Sequence, residues 1–292
     1  LLDIFIPVKK RLFMTATERL ATPRLKQRFE QQSRVLFSMD DENKYGPTFY
    51  RLPFGKAIAD GIIADYKIVV AAMTSSELFR IVRENAHVTV TNNHVEMIAD
   101  VAAQMLFKGA MFSKVMTTTK ATKAVSFHSS IPAAKNFSEL IKRLPELPDH
   151  RYIAHVNGSY SAADRAEVFL DFERAQFGLI TNVRCLTEGV DIPYIDAVMF
   201  ADPRKSLIDI VQAVGRALRK PYEVEAKTSF IIVPILLDEN NGGLENDEAF
   251  ATMHSIIQAL RDQDEMLADW IDHINYAVVT GGGNGGGGFT DD

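Results

Sequence analysis

Residues 180–220 read ITNVRCLTEGVDIPYIDAVMFADPRKSLIDIVQAVGRALRK, and their pattern decides the fold. An apolar run closing in Thr181 and Asn182 reads as a buried strand, and a polar turn through Gly189, Asp191 and Pro193 follows it. The short run DAVMFA, residues 196–201, reads as the next strand. The apolar period then lengthens to that of a helix over 207–218, before SFIIVPIL at 229–236 supplies another strand. Alternation of this kind predicts an α/β chain with a parallel sheet and helices on both faces.

The same alternation extends toward the N-terminus. RLFMTA (11–16), RVLFSM (34–39), YKIVVAAM (66–73), KAVSFH (123–128), RYIAHV (151–156) and FGLITN (177–182) read as strands. Helical spacing fills 133–144 and 162–172 between them. Ligands of parallel sheets collect at the carboxyl ends of strands. The residues that close them are therefore the ones to examine: Thr15, Ala16 and Thr17; Ser126 and His128; His155; Thr181 and Asn182; Asp202. A polar stretch rich in Asp, Asn, Gly and Pro, SMDDENKYGPTFYRLPFG, marks a crossing between domains, with 1–52 before it and 53–238 after it. Residues 72–120 read as a helical insertion, 239–292 as an acidic segment with a helix over 248–276 and a glycine-rich end.

With 292 residues, 47% of them apolar, the chain can bury a substantial core. Its apolar runs fall well short of the roughly 20 residues of a membrane-spanning helix, and a cytoplasmic setting is expected. Leu1 in place of an initiating methionine makes the chain read as part of a longer protein. The formal charge of −6 argues against wholesale coating of nucleic acid. It is unevenly spread: residues 221–292 hold 14 Asp/Glu against 2 Lys/Arg, a formal −12, which leaves +6 on residues 1–220. A basic body of that kind can still hold a polyanion locally. One cysteine, Cys185, and seven histidines without ligand spacing predict no metal site. Cys185 reads as a small packing residue, and His128 and His155 as packed or solvent-facing ones.

The helix over 207–218 carries the most pointed chemistry. Gln212, Gly215, Arg216 and Arg219 are neighbours on one side of it, since residues three and four apart adjoin. Gly215 lets another surface approach, while Arg216 and Arg219 offer planar, permanently charged forks that suit phosphate oxygens. Asp191, beyond a strand end, can accept from a ribose, and Thr181 can contact a phosphate.

In this order TAT (15–17), SFHSS (126–130), TNVRCLTEGVDIP (181–193) and QAVGRALR (212–219) resemble motifs III to VI of the superfamily-2 helicases and translocases. The resemblance covers roughly residues 11–237. In overall texture it is closest to bacterial predicted helicases and the motors of single-chain restriction-modification enzymes. It implies a RecA-like, P-loop-NTPase-type second motor domain, preceded by the last part of a first. ATP and Mg²⁺ would be bound mainly by that missing first domain. The resemblance places Arg216, Arg219 and Gln212 in catalysis. Gly189, Asp191, Thr15 and Thr17 fall at the nucleotide, and Thr181, Asn182 and Ser126 at a nucleic acid, with DNA expected. The expected partners are that nucleic acid and the first domain, with no membrane.

A P-loop needs G-x-x-x-x-G-K-[ST], and no such string occurs; FGKAI (54–58) lacks the first glycine and the hydroxyl after lysine. The chain alone is therefore not expected to hydrolyse ATP, whereas the intact parent is. The alternative from another class is a non-catalytic module that keeps the motor fold and binds nucleic acid or protein.

Overall fold

The structure is a computed structural model. It describes residues 9–15, 18, 20–32, 35–84, 97–183, 192–203, 206–221, 223–224, 226–237, 248–264 and 267–268. Internal contacts divide the chain into two units, Leu1–Leu52 and Pro53–Asp292.

In the first unit, α1 (Pro23–Gln31) starts behind Thr22, whose hydroxyl accepts from the Leu25 amide at 3.3 Å. A single turn, α2 (Glu42–Tyr45), follows. The two strands expected here are not observed: residues 10–15 and 35–38 have no regular structure, and Leu12, Met14, Val35 and Phe37 are exposed. A strand exists through the hydrogen bonds of a neighbour. No partner strand stands beside these segments among the described residues of this unit.

The second unit begins with α3 (Phe54–Ala59), then β1 (Asp65–Thr74), α4 (Ser75–Glu84), α5 (Met97–Thr119) and β2 (Lys123–Phe127). It continues with α6 (Ile131–Ile141), β3 (Arg151–Val156), α7 (Ala162–Arg174), β4 (Phe177–Asn182) and β5 (Ala197–Phe200). Then come α8 (Leu207–Ala217), β6 (Thr228–Leu237) and α9 (Glu248–Arg261). The six strands form one sheet in the order β1-β6-β5-β2-β4-β3, and every pairing is parallel. All carboxyl ends therefore share one rim. The α/β architecture with helices on both faces is the one the alternation predicts.

The strand period of two sorts side chains between two cores. Val125, Ile180, Val198, Phe200 and Ile231 pack beneath α7, α8 and α9. Ala124, Leu179, Ala197, Met199 and Ile232 pack beneath α4, α5 and α6. The segment read as an insertion is thus part of the domain's own layer: Leu106, Phe107, Met111, Phe112, Val115 and Met116 of α5 are buried. Each such burial contributes about 1.5–3 kcal/mol, more than any difference in helix propensity, so threonines at its end do not prevent the helix. Likewise α9 docks on this unit through Ile256, Ala259 and Leu260. It ends at Arg261 rather than running on to 276, and the residues beyond 268 lie outside those described.

Caps and clamps fix the ends. Ser130, Ser161 and Ser206 cap α6, α7 and α8, and Ser161 forms a reciprocal box with Asp164. Lys123, buried at the start of β2, donates to the Phe172 and Glu173 carbonyls at 2.5 and 2.9 Å and to that of Ala175. These are orphan acceptors of the α7 C-terminus, where a cation is also favoured by the helix dipole. Gly178 permits this close approach, since a Cβ there would lie 2.7 Å from the Phe172 ring. Among the described residues no helix is long and apolar enough to cross a membrane.

Candidate functional site

Helix α8 descends from the carboxyl rim, where Ser206 accepts from the Asp209 amide, to the opposite end of the sheet. Its inner face, Ile210, Val211, Ala213, Val214 and Ala217, is buried. Gln212, Gly215 and Arg216 lie partly exposed on the other side. Among the described residues a Cβ at Gly215 would meet nothing within 4 Å, so none of their packing calls for glycine there. Arg216 lines a cavity of about 10 Å³ with Val125, Phe127, Ile192, Ile195, Val198 and Ala213. Arg216 thus shares the lining of this cavity with apolar side chains, among them Ile192, the first described residue after the TEGVD turn.

The sequence places Arg219 on the same helix, but α8 ends at Ala217. Arg219 continues only as a further turn, its amide donating to the Arg216 carbonyl at 3.3 Å. The reason is Pro221, which disfavours helical backbone in the residue before it. Lys227 takes over the freed carbonyls. Its ammonium donates to Ala217 and Arg219 at 2.9 and 2.6 Å, and to Pro193 and Ile195 at 2.9 and 2.5 Å. Burial presses this group down to about 8, with the charge of Asp196 acting in the opposite sense. One side chain thus ties the strand-to-strand segment after Asp191 to the end of the arginine helix. No spacing rule in the sequence marks Lys227, because its four acceptors are distant along the chain.

At the rim, the three residues expected at a nucleic acid turn inward. Thr181, Asn182 and Ser126 are fully buried. The Thr181 hydroxyl donates to the Ala154 carbonyl at 3.4 Å and lies 3.1 Å from Nδ1 of His155. It therefore accepts from that nitrogen, which leaves Nε2 to accept from the Asn157 amide at 3.3 Å. Burial first, and the charge of Lys135 second, hold His155 below the usual histidine range, opposed by the bond at Thr181. Asn182 donates to the Ser126 carbonyl at 3.1 Å, and the Ser126 hydroxyl meets Nε2 of His128 at 2.9 Å. In this conformation these side chains brace the rim, because the middle strands of a sheet covered on both faces have no solvent side for them. Thr15 is exposed in the first unit. Thr17, Gly189 and Asp191 lie outside the described residues.

What the rim presents instead is Ser129 and Ser130 after β2, and Asp202 after β5. The Asp202 carboxylate accepts from the Ser129 amide and hydroxyl at 2.7 and 2.8 Å and from Lys108 of α5 at 2.5 Å. Beside this cluster a cavity of about 320 Å³ is lined by Gln104, Met105, Lys108, His128, Ser129 and Asp202, among others. Ser129 stands within the SFHSS string, but Lys108 carries no local signal, since only the packing of α5 brings it to the rim. Among the described residues no group of three or more His, Cys, Asp or Glu is placed to hold a metal ion.

Parts of this sequence and fold recur in known proteins. Residues 103–221 match the model of the helicase conserved C-terminal domain. A probable helicase of African swine fever virus is 26% identical over 255 residues, 87% of this chain and 26% of the relative. A 51.5 kDa protein of a Lactococcus phage is 25% identical over 138 residues, 47% of this chain and 28% of the relative. The chain thus spans about a quarter of the length of these curated relatives. Among solved structures, an ATP-dependent Type ISP restriction-modification enzyme, LlaBIII, bound to DNA, superposes with a TM-score of 0.65 at 29% identity. That likeness covers 82% of this chain and 17% of the enzyme. Over residues 103–221 the chain is therefore similar in sequence to the helicase conserved C-terminal domain, and over most of its length it is similar in fold to that ATP-dependent restriction-modification enzyme.

Proposed function

We propose that the chain is the second motor domain of an ATP-dependent, DNA-acting helicase or translocase, within a restriction-modification system. The observation that carries this reading is the arginine helix itself. Arg216 lines a cavity together with Ile192, its neighbour Gly215 meets no other group among the described residues, and Lys227 fixes the end of the helix against the segment after Asp191. A cation next to a small, open backbone face suits the wall of a pocket whose other side comes from another domain.

ATP would bring the phosphoryl group to be transferred, with its Mg²⁺ held by the P-loop domain of the intact protein. The residues present fit one wall of such a site. Arg216 and Arg219 would stabilise charge developing on the phosphoryl oxygens, an effect worth about 10³ to 10⁵ in rate in comparable enzymes. Gln212, one turn above Arg216, would orient the same phosphate edge. Gly189 and Asp191 would adjoin the ribose. Thr15 and Thr17, in the first unit, would couple nucleotide state to domain closure. Thr181, Asn182 and Ser126 would act on nucleic acid indirectly, by fixing the rim on which exposed Ser129 and Ser130 are offered to a phosphate backbone.

The test is ATP turnover by the intact parent, with and without DNA. Arg216→Ala and Arg219→Ala should each lower DNA-stimulated turnover by about a thousandfold or more, with unchanged circular dichroism. Undiminished turnover in both variants refutes the assignment. A parent that binds DNA but never hydrolyses ATP would instead be the non-catalytic module.

A further inference from the structure

We propose that Lys108 and Ser129 form a binding site for one backbone phosphate of the nucleic acid, and that Asp202 occupies it in the unbound chain as a built-in competing anion. The inference rests on the nucleic-acid reading above and names the residues that would carry it.

The Asp202 carboxylate is held by an ammonium, a hydroxyl and a backbone amide: Lys108 Nζ at 2.5 Å, Ser129 Oγ at 2.8 Å and Ser129 N at 2.7 Å. This is the donor set that proteins turn toward phosphate oxygens. It stands on the carboxyl rim, directly before the first turn of α6, where the helix dipole also favours an anion. The cluster is neither sealed nor loose. The Lys108 and Asp202 side chains keep 23% and 11% of their exposure, and the cavity of about 320 Å³ beside them is lined by Lys108, Ser129 and Asp202. That volume is at the lower end for small-ligand pockets and gives room for a phosphate and its sugar, with Met105 and Ala133 as an apolar wall.

Burial alone would push the Asp202 carboxyl up, but the charge of Lys108 and the bonds from Lys108 and Ser129 hold it below the usual range. The competitor is therefore ionised at neutral pH. Exchange replaces one anion by another on the same donors, so no buried donor is left unsatisfied when Asp202 swings out to water. Lys108 comes from α5, so the exchange also couples that helix to the nucleic acid.

The experiment is fluorescence anisotropy with labelled single- and double-stranded DNA on the intact parent, over a salt series, for wild type, Asp202→Asn, Lys108→Met and Ser129→Ala. Asparagine keeps the shape and an acceptor for Ser129 but carries no charge, so Asp202→Asn should bind about fivefold tighter. Lys108→Met should bind about tenfold more weakly, with the slope of log affinity against log salt reduced by about one. Ser129→Ala should weaken binding with the slope unchanged. Weaker binding by Asp202→Asn, with its melting temperature preserved, would show a structural tie and overturn the competitor. If Asp202→Asn does not fold, the Lys108→Met slope decides: an unchanged slope overturns the site. A wild-type parent that binds no DNA refutes the proposed function itself, whereas one that binds DNA indifferently to all three substitutions refutes only this inference. Inorganic phosphate added to 10-fold excess over its own half-effect separates a free-phosphate site, where it displaces no DNA, from a backbone site, where it competes.

Discussion

Replacing Gly215 by alanine sets the stability of this domain against the use of its arginine helix. Gly215 lies inside α8, and a Cβ built on it meets no heavy atom of the described residues within 4 Å. A methyl group there restricts the unfolded chain and collides with none of the described residues, so it should stabilise the folded chain by about 0.5–1 kcal/mol. For a domain of this size that is a rise of about 1–4 °C in melting temperature. The same methyl would intrude where another domain is proposed to close. Overpacking a well-fitted contact costs about 1–3 kcal/mol, equivalent to about a 5- to 150-fold loss of the closed, ATP-cleaving state. The assays are thermal and urea unfolding of the chain, and DNA-stimulated ATP turnover of the intact parent. A destabilised variant would show that the face is occupied from within the chain. A stabilised variant with turnover within twofold of wild type would refute the idea that glycine is there for an approaching surface.

Lys227→Met keeps the length of the stem but removes a donor shared by four carbonyls, of which that of Ala217 keeps the Ser229 hydroxyl, and it should destabilise the domain by about 3 kcal/mol in urea unfolding; a loss under 1 kcal/mol would mean that the other three find new partners. His155 is held neutral by burial, so below its ordinary value of 6.5 the unfolded chain takes up a proton that the folded chain resists. Its contribution is complete above that pH and is lost as pH falls through the lower folded value, with a slope of at most about 1.4 kcal/mol per pH unit. Stability should therefore fall more steeply from pH 7 to 5 in the wild type than in His155→Gln, and parallel curves would exclude the Thr181–His155–Asn157 chain as the cause.

The amino-acid order by itself determined the six strands of the sheet and the helices between them, because period two and period 3.6 are written locally into apolar spacing. It also placed the arginine helix after its strand, through the motif strings. RLFMTA and RVLFSM show the limit of that reasoning: their apolar content resembles that of β2 and β4, yet among the described residues they have no neighbouring strand, and Leu12, Met14, Val35 and Phe37 stay exposed. The true extent of α5, and its place on the sheet rather than as an insertion, depended on burial against Phe137, Leu179 and Met199, which no window of sequence contains. The site divides in the same way. Gln212, Gly215 and Arg216 could be read from helical spacing, whereas the inward turn of Thr181, Asn182 and Ser126 follows from a sheet covered on both sides. Lys108, Ser129 and Asp202 meet only because parallel strands bring all their carboxyl ends to one rim. A lysine 94 residues from its carboxylate becomes its partner through topology, since hydrogen bonds and charge act over a few ångströms of space and are indifferent to distance along the chain.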